Sequence, residues 1–139
     1  MNVKELFAYG PHRPPMVWID EVVSGTEALV NIRADGLYMG PRGLRPSACI
    51  EFIAQAYGYT SLYAQLQSPG GVKPLRKAYL AAIKDAAYFG DFKNVNAGTR
   101  LKIQIESVRH MGPLALVEGA VYRGEMKLAS TQLKVYSET

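Results

Sequence analysis

Pro46-Ser47-Ala48-Cys49-Ile50-Glu51-Phe52-Ile53-Ala54-Gln55-Ala56-Tyr57 is the stretch on which the fold turns. Pro46 closes a loop, Ser47 is a residue type that caps helices, and no proline follows until Pro69. This predicts a helix from Ala48 to about Gln67, stopped by Ser68-Pro69-Gly70-Gly71. Its first half is apolar on most of its surface, through Ala48, Cys49, Ile50, Phe52, Ile53, Ala54, Ala56 and Tyr57. A helix that is apolar nearly all round is a buried helix. It is the only long helix that the sequence predicts.

Most of the rest reads as strand and turn. Val3 to Tyr9 has room for one or two helical turns, and Gly10-Pro11-His12-Arg13-Pro14-Pro15 then forbids regular structure. Met16 to Val23 is an apolar, β-branched run ending at Ser24-Gly25-Thr26, and Ala28 to Ala34 alternates apolar and polar as the second strand of a hairpin. Asp35 to Pro46 is a loop punctuated by Gly36, Gly40, Pro41 and Gly43. After the helix, strands are expected at Lys77 to Phe89 (bent or bulged), Arg100 to Arg109, Leu114 to Tyr122 and Met126 to Tyr136. Turns fall at His110-Met111-Gly112-Pro113 and Arg123-Gly124-Glu125. Five to six antiparallel strands curved around one long buried helix form the α+β hotdog arrangement, here as one domain over residues 1–139. Such a sheet leaves an edge strand, and pairing two sheets edge to edge hides both edges. A dimer is therefore expected.

Composition excludes several classes of protein. Hydrophobic residues make up 48% of the 139, enough for one core, and the charged fraction of 20% is too ordinary for a disordered chain. One cysteine, Cys49, closes no intramolecular disulfide and fits a reducing, cytoplasmic setting. No stretch approaches the roughly 20 apolar residues of a membrane helix, and the N-terminus does not read as a secretory signal. The net charge is +4. That is either a basic solvated surface or the mark of an acidic partner. Arg42 and Arg45 before the helix, and Lys73, Arg76 and Lys77 after it, crowd the loops that flank it. No dense basic stripe or nucleic-acid motif appears, so nucleic acid is not the expected partner.

Glu51 is the candidate for chemistry, as the one acid between Asp35 and Asp85, set among Cys49, Ile50, Phe52 and Ile53. Burial favours the protonated carboxylic acid, whereas the helix N-terminus favours the anion. A protonated carboxyl group could protonate a leaving hydroxyl; the structural alternative is a glutamate bonded to loop backbone. Gln55 follows four residues later on the same face, placed to orient the carboxyl group, to bind substrate, or to satisfy nearby backbone. Of the two histidines, His110 lies at a hairpin tip and reads as incidental, while His12 sits in a loop stiffened by Pro11, Pro14 and Pro15. One cysteine and two distant histidines do not make a metal site. Cys49 is no nucleophile, because apolar surroundings disfavour the thiolate. No phosphate-binding or dinucleotide fingerprint is present, so no cofactor is expected.

Pro11-His12-Arg13-Pro14-Pro15-Met16-Val17-Trp18-Ile19-Asp20-Glu21-Val22 resembles the opening of bacterial 3-hydroxyacyl-[acyl-carrier-protein] dehydratases. Cys49-Ile50-Glu51-Phe52-Ile53-Ala54-Gln55-Ala56 is similar to their helix, in which the glutamate is catalytic; some hotdog thioesterases share that motif. Tyr79 to Ala86 and Ala97 to Leu101 match the later strand pattern, so the resemblance covers nearly the whole chain. One departure stands out. Those dehydratases carry their catalytic histidine in a Gly-His-Phe-Pro-Gly loop before the helix, where this chain has Gly36-Leu37-Tyr38-Met39-Gly40-Pro41-Arg42-Gly43. That looks closer to a divergent branch of aryl polyene pathways, and the resemblance implies that His12 is the base and Glu51 the acid.

The implied activity is dehydration of (3R)-3-hydroxyacyl groups to trans-2-enoyl groups, in fatty acid or aryl polyene biosynthesis. The acyl group rides on the phosphopantetheine arm of an acyl carrier protein. A backbone N–H in the Gly43 to Ser47 segment would bind the thioester carbonyl. Gln55 and Tyr57 would contact substrate. Phe52, Tyr59, Trp18 and Met39 are further candidates for the tunnel wall. Arg42, Arg45, Arg76 and Lys77 would steer the acidic carrier. The alternatives are a thioesterase on the same fold, with Glu51 activating water, and a non-catalytic hotdog subunit that completes a partner's site. Either a homodimer or a heterodimer with a paralogous hotdog subunit fits, with His12 and Glu51 facing each other across the interface.

Overall fold

The computed structural model describes residues 1–6, 16–71 and 77–138, and the side chains of Lys77, Ala78, Tyr79 and Glu138 are outside that description. Among the described residues, eight strands and one α-helix follow one another. They are β1 (Glu21–Val22), β2 (Glu27–Asn31), β3 (Met39–Gly40), β4 (Gly43–Leu44), α1 (Ala48–Leu66), β5 (Lys77–Tyr88), β6 (Arg100–Met111), β7 (Leu114–Arg123) and β8 (Met126–Glu138). Short 3-10 helices occupy Val3–Leu6 and Phe92–Asn94.

A six-stranded antiparallel sheet in the order β1-β2-β6-β7-β8-β5 carries α1 on one face, and this is the hotdog fold. Alternation along the strands explains which face is buried. In β7, Ala115 and Val117 face the helix while Glu118 faces solvent, and in β8 Leu133 and Val135 do the same against exposed Lys134. Phe52, Ile53, Ala56 and Tyr59 of α1 fill the space above them. Helix and sheet approach closely at Gly119. A Cβ there would stand 2.6 Å from Cγ2 of Ile53, so only glycine lets α1 settle onto β7.

Four expectations need correction. The strand expected from Met16 shrinks to Glu21–Val22, because the Met16 carbonyl and the Trp18 N–H bond the side chain of Gln55 on α1, and backbone bonding to β2 begins with the Asp20 N–H on the carbonyl of Leu29. The loop expected from Asp35 to Pro46 contains the β3–β4 hairpin, extended by the Arg45 N–H bonding the carbonyl of Tyr38 at 3.0 Å. Ser47 makes no side-chain cap. Its backbone is already helical, and the N–H groups of Ala48, Cys49 and Ile50 are taken by the carbonyls of Arg45, Pro46 and Ser47. His110 lies within β6 rather than in the turn, although it is exposed as expected. Other bounds move by a residue or a few: β2 runs from Glu27 to Asn31, α1 stops at Leu66 and β5 at Tyr88, and β6, β7 and β8 extend to Met111, Arg123 and Glu138.

The bulges expected in the strand after the helix are present. Register shifts interrupt β5 between Leu80 and Ala82 and between Lys84 and Ala87, and Asp85 adopts φ 54° in the second. β5 is an outer strand, and its side chains from Leu80 to Ala86 are all exposed.

Candidate active site

The site is organised around the first turns of α1. The helix is not encased on all sides: Ile50, Glu51, Ala54, Tyr57, Gly58 and Ser61 form a partly exposed strip. Glu51 therefore stands at the boundary between core and surface, and not within the core.

Gln55 is 3% exposed and uses every hydrogen-bonding group that its amide has. Its Oε1 accepts the N–H of Trp18 at 2.8 Å. Its Nε2 donates to the carbonyl of Met16 at 2.8 Å and to Oε1 of Glu51 at 3.0 Å. Turning the amide over would set its NH2 against the Trp18 N–H and its oxygen against the Met16 carbonyl. The orientation is thus fixed by the backbone, and Glu51 Oε1 is held as an acceptor.

The segment that Gln55 grips is packed in place by aromatic rings. Trp18, Tyr38 and Phe52 meet edge to face in a closed triangle, with centroids 5.4 Å apart for Trp18–Tyr38, 5.8 Å for Trp18–Phe52 and 5.4 Å for Tyr38–Phe52. Such pairs contribute about 0.5–1.5 kcal/mol each beyond burial. The Tyr38 hydroxyl accepts the Arg33 N–H at 2.9 Å. His12 lies outside the described residues.

Of the expected tunnel residues, Phe52 and Tyr59 are buried in the core, and Trp18, Met39 and Tyr57 pack partly exposed against it. Burial pushes the Tyr57 hydroxyl above its ordinary pKa, and a bond with Ser61 opposes this. Gly43 has φ +94°, and a Cβ there would stand 2.8 Å from the carbonyl oxygen of Phe92, so backbone geometry demands glycine at this position. Within the segment considered for a thioester contact, the Arg45 N–H is taken by Tyr38. Arg42 and Arg45 are exposed. Arg76 lies outside the described residues, and Lys77 opens β5.

Sequence reasoning did not single out the backbone of Met16 and Trp18 as the frame for Gln55; a buried glutamine four residues after a glutamate was the available signal. A cleft of about 560 Å³ lies on the far side of the Val17–Glu21 segment, between Lys4, Arg33 and Asp35, and none of Glu51, Gln55 and Tyr57 lines it. Among the described residues no group of histidine, cysteine or carboxylate side chains could hold a metal ion, and no helix is long and apolar enough to cross a membrane.

A family model described as ApeP-like, ApeP dehydratase, matches residues 4–139. The chain belongs to that family. Its place among the ApeP-like dehydratases agrees with the solved structures it resembles. One is the dehydratase heterocomplex ApeI:P from Xenorhabdus doucetiae, at 20% identity and TM-score 0.77, covering 100% of this chain and 92% of that one. Another is the PaaI protein of the phenylacetic acid degradation operon of E. coli, at 14% identity and TM-score 0.58, covering 87% and 78%. A third is conserved protein PA5202 from Pseudomonas aeruginosa, at 18% identity and TM-score 0.60, covering 88% and 90%. At these identities the likenesses establish the shared hotdog fold. No curated protein matches the sequence.

Proposed function

We propose that this ApeP-like chain dehydrates (3R)-3-hydroxyacyl thioesters carried on an acyl carrier protein to trans-2-enoyl thioesters. The observation that carries the reading is the Gln55–Glu51 bond, which presents one carboxyl oxygen of a partly exposed glutamate in a fixed direction. His12 removes the α-proton of the substrate. The electron pair of that C–H bond becomes the second bond between Cα and Cβ. The Cβ–O bond breaks, Glu51 delivers its proton to the departing hydroxyl, and water leaves. No redox partner is needed, and the acyl group arrives on the carrier's phosphopantetheine. Gln55 positions the acid, Tyr57 flanks the strip along which the acyl chain lies, and Gly43 shapes the hairpin beside it.

The exposed edge strand β5 supports assembly with a second hotdog subunit, either a copy or a paralogue. The solved relative from Xenorhabdus doucetiae is itself a heterocomplex. The test is mass spectrometry of a 3-hydroxyacyl-carrier-protein incubated with wild type and with His12→Ala, each alone and with a paralogous subunit. Loss of one water with wild type alone establishes the reaction and the base. Loss with both variants reassigns the base. Release of free carrier thiol replaces the reading with a thioesterase, and turnover that requires only the partner's residues makes this chain a supporting subunit.

A further inference from the structure

Three segments distant in sequence meet beside the start of α1. The β3–β4 hairpin abuts the 3-10 helix Phe92–Asn94, with the Gly43 Cβ position 3.5 Å from Cα of Lys93. The carboxylate of Asp91 shapes that helix by accepting the Lys93 N–H and the Asn94 side-chain amide, each at 2.9 Å. The turn after β7 is tied to it as well, because Arg123 Nη1 donates to the carbonyl of Asn94 at 3.1 Å. The adjoining segments thereby carry four exposed cations, Arg42, Arg45, Lys93 and Arg123. The same segments carry the carboxylates of Asp91 and Glu125. Asp91 is committed to its own segment, and Glu125 lies in the turn that follows Arg123. Cations on the sheet are matched differently: Arg100 pairs with Glu21, and Lys102 and Lys127 lie over the ring of Tyr122 beside Glu106.

We propose that Lys93 and Arg123, together with Arg42 and Arg45, form the docking surface for the acidic carrier protein. This rests on the carrier-bound substrate put forward above. Position argues for it: the hairpin runs through Arg45 directly into α1, whose first turn holds Glu51, so a carrier seated here delivers its arm to the acid. Charge argues for it too. An acidic domain is drawn to a cationic patch over about a Debye length, roughly 8–10 Å at physiological salt, which speeds encounter and makes binding salt-dependent. Lys93 and Arg123 come from segments that sequence order does not place near the β3–β4 hairpin.

The experiment measures binding and turnover separately. Fluorescein-labelled holo-acyl carrier protein is titrated by anisotropy against the intact assembly carrying wild type, Lys93→Glu, Lys93→Arg or the Lys93→Glu/Arg123→Glu pair. Turnover of a 3-hydroxyacyl group on the carrier and on free pantetheine is followed in parallel. The proposal expects affinity to fall at least tenfold in the double variant and several-fold in Lys93→Glu. Lys93→Arg should retain wild-type affinity, and the pantetheine thioester should be turned over unchanged. Unaltered carrier binding in the double variant overturns it. So does an equal loss on the pantetheine substrate, which would mark a structural role, and so does preferential capture of duplex DNA or RNA. Carrier binding that responds to Lys93 without any dehydration by wild type would keep the docking surface and remove the dehydratase reading.

Discussion

Gln55 donates a hydrogen bond from Nε2 to Oε1 of Glu51 at 3.0 Å, and backbone atoms of Met16 and Trp18 hold the amide in the one orientation that permits this. The acid is thus aimed by the same residue that fastens the backbone of Met16 and Trp18. Gln55→Leu removes the aim and leaves a buried N–H and a carbonyl unpaired, each worth about 1–3 kcal/mol. The expected outcome is a lower melting temperature together with a fall in kcat that exceeds any change in KM. Gln55→Glu restores the acceptor for Trp18 but no longer donates to both Met16 and Glu51 when ionised, so it should recover only part of the loss.

Glu51→Gln separates folding from chemistry. A glutamine at this position still offers an oxygen to Gln55, so the thermal transition should stay near wild type. It has no acidic proton to give, and a general acid contributes typically 10²–10⁴-fold to rate. Steady-state dehydration should fall by about that range, and wild-type turnover in this variant would remove Glu51 from the reaction.

Much of this was legible in the sequence. The limits of α1 followed from Pro46 and Ser68-Pro69-Gly70-Gly71, and the pairing of Glu51 with Gln55 from their spacing on one helical face. What escaped was tertiary. Met16 to Asp20 has the β-branched pattern of a strand, yet it bonds to a buried glutamine, which no periodicity reveals. The β3–β4 hairpin was hidden because its strands are two residues each, and the bond of Arg123 to the carbonyl of Asn94 depends on how the sheet is ordered. The apolar pattern of α1 overstated its burial, since the strip through Glu51, Ala54 and Gly58 remains accessible.

The contact of Gly119 with Ile53 sets how closely helix and sheet approach. Gly119→Ala inserts a methyl group where 2.6 Å separates its position from Ile53 Cγ2, and overpacking of this kind costs about 1–3 kcal/mol. Urea denaturation should show a lower midpoint with an unchanged slope. The double variant Gly119→Ala/Ile53→Leu, which has no branch at Cβ and so no Cγ2 methyl to meet the new side chain, should regain part of the loss.

Cys49 has a thiol that burial pushes up to about 12 from an ordinary value of 9.0. The folded chain therefore keeps this proton across a window in which the unfolded chain gives it up. Folding is favoured by this group below pH 9 and loses that contribution as pH rises from about 9 towards 12. Cys49→Ala should show a weaker fall in stability over that window than wild type. At pH 8, a thiol reagent such as DTNB should leave native Cys49 unmodified and label it fully in urea.

Leu80 and Ile83 are 42% and 49% exposed on the outer strand β5. Both lie in register with buried residues of β8, Leu80 opposite Val135 and Ile83 opposite Leu133, so they share the apolar face of the sheet without a helix above them. An exposed, long, hydrophobic edge strand pairs with another strand unless it is charged or covered. Sedimentation equilibrium should show the wild-type chain associated, with a copy of itself or with a paralogous subunit. Ile83→Lys keeps the strand's own ladder to β8 while placing a cation in the shared edge. It should dissociate the assembly without lowering the far-UV signal of the fold. An assembly that survives this substitution unchanged would exclude β5 as the subunit contact.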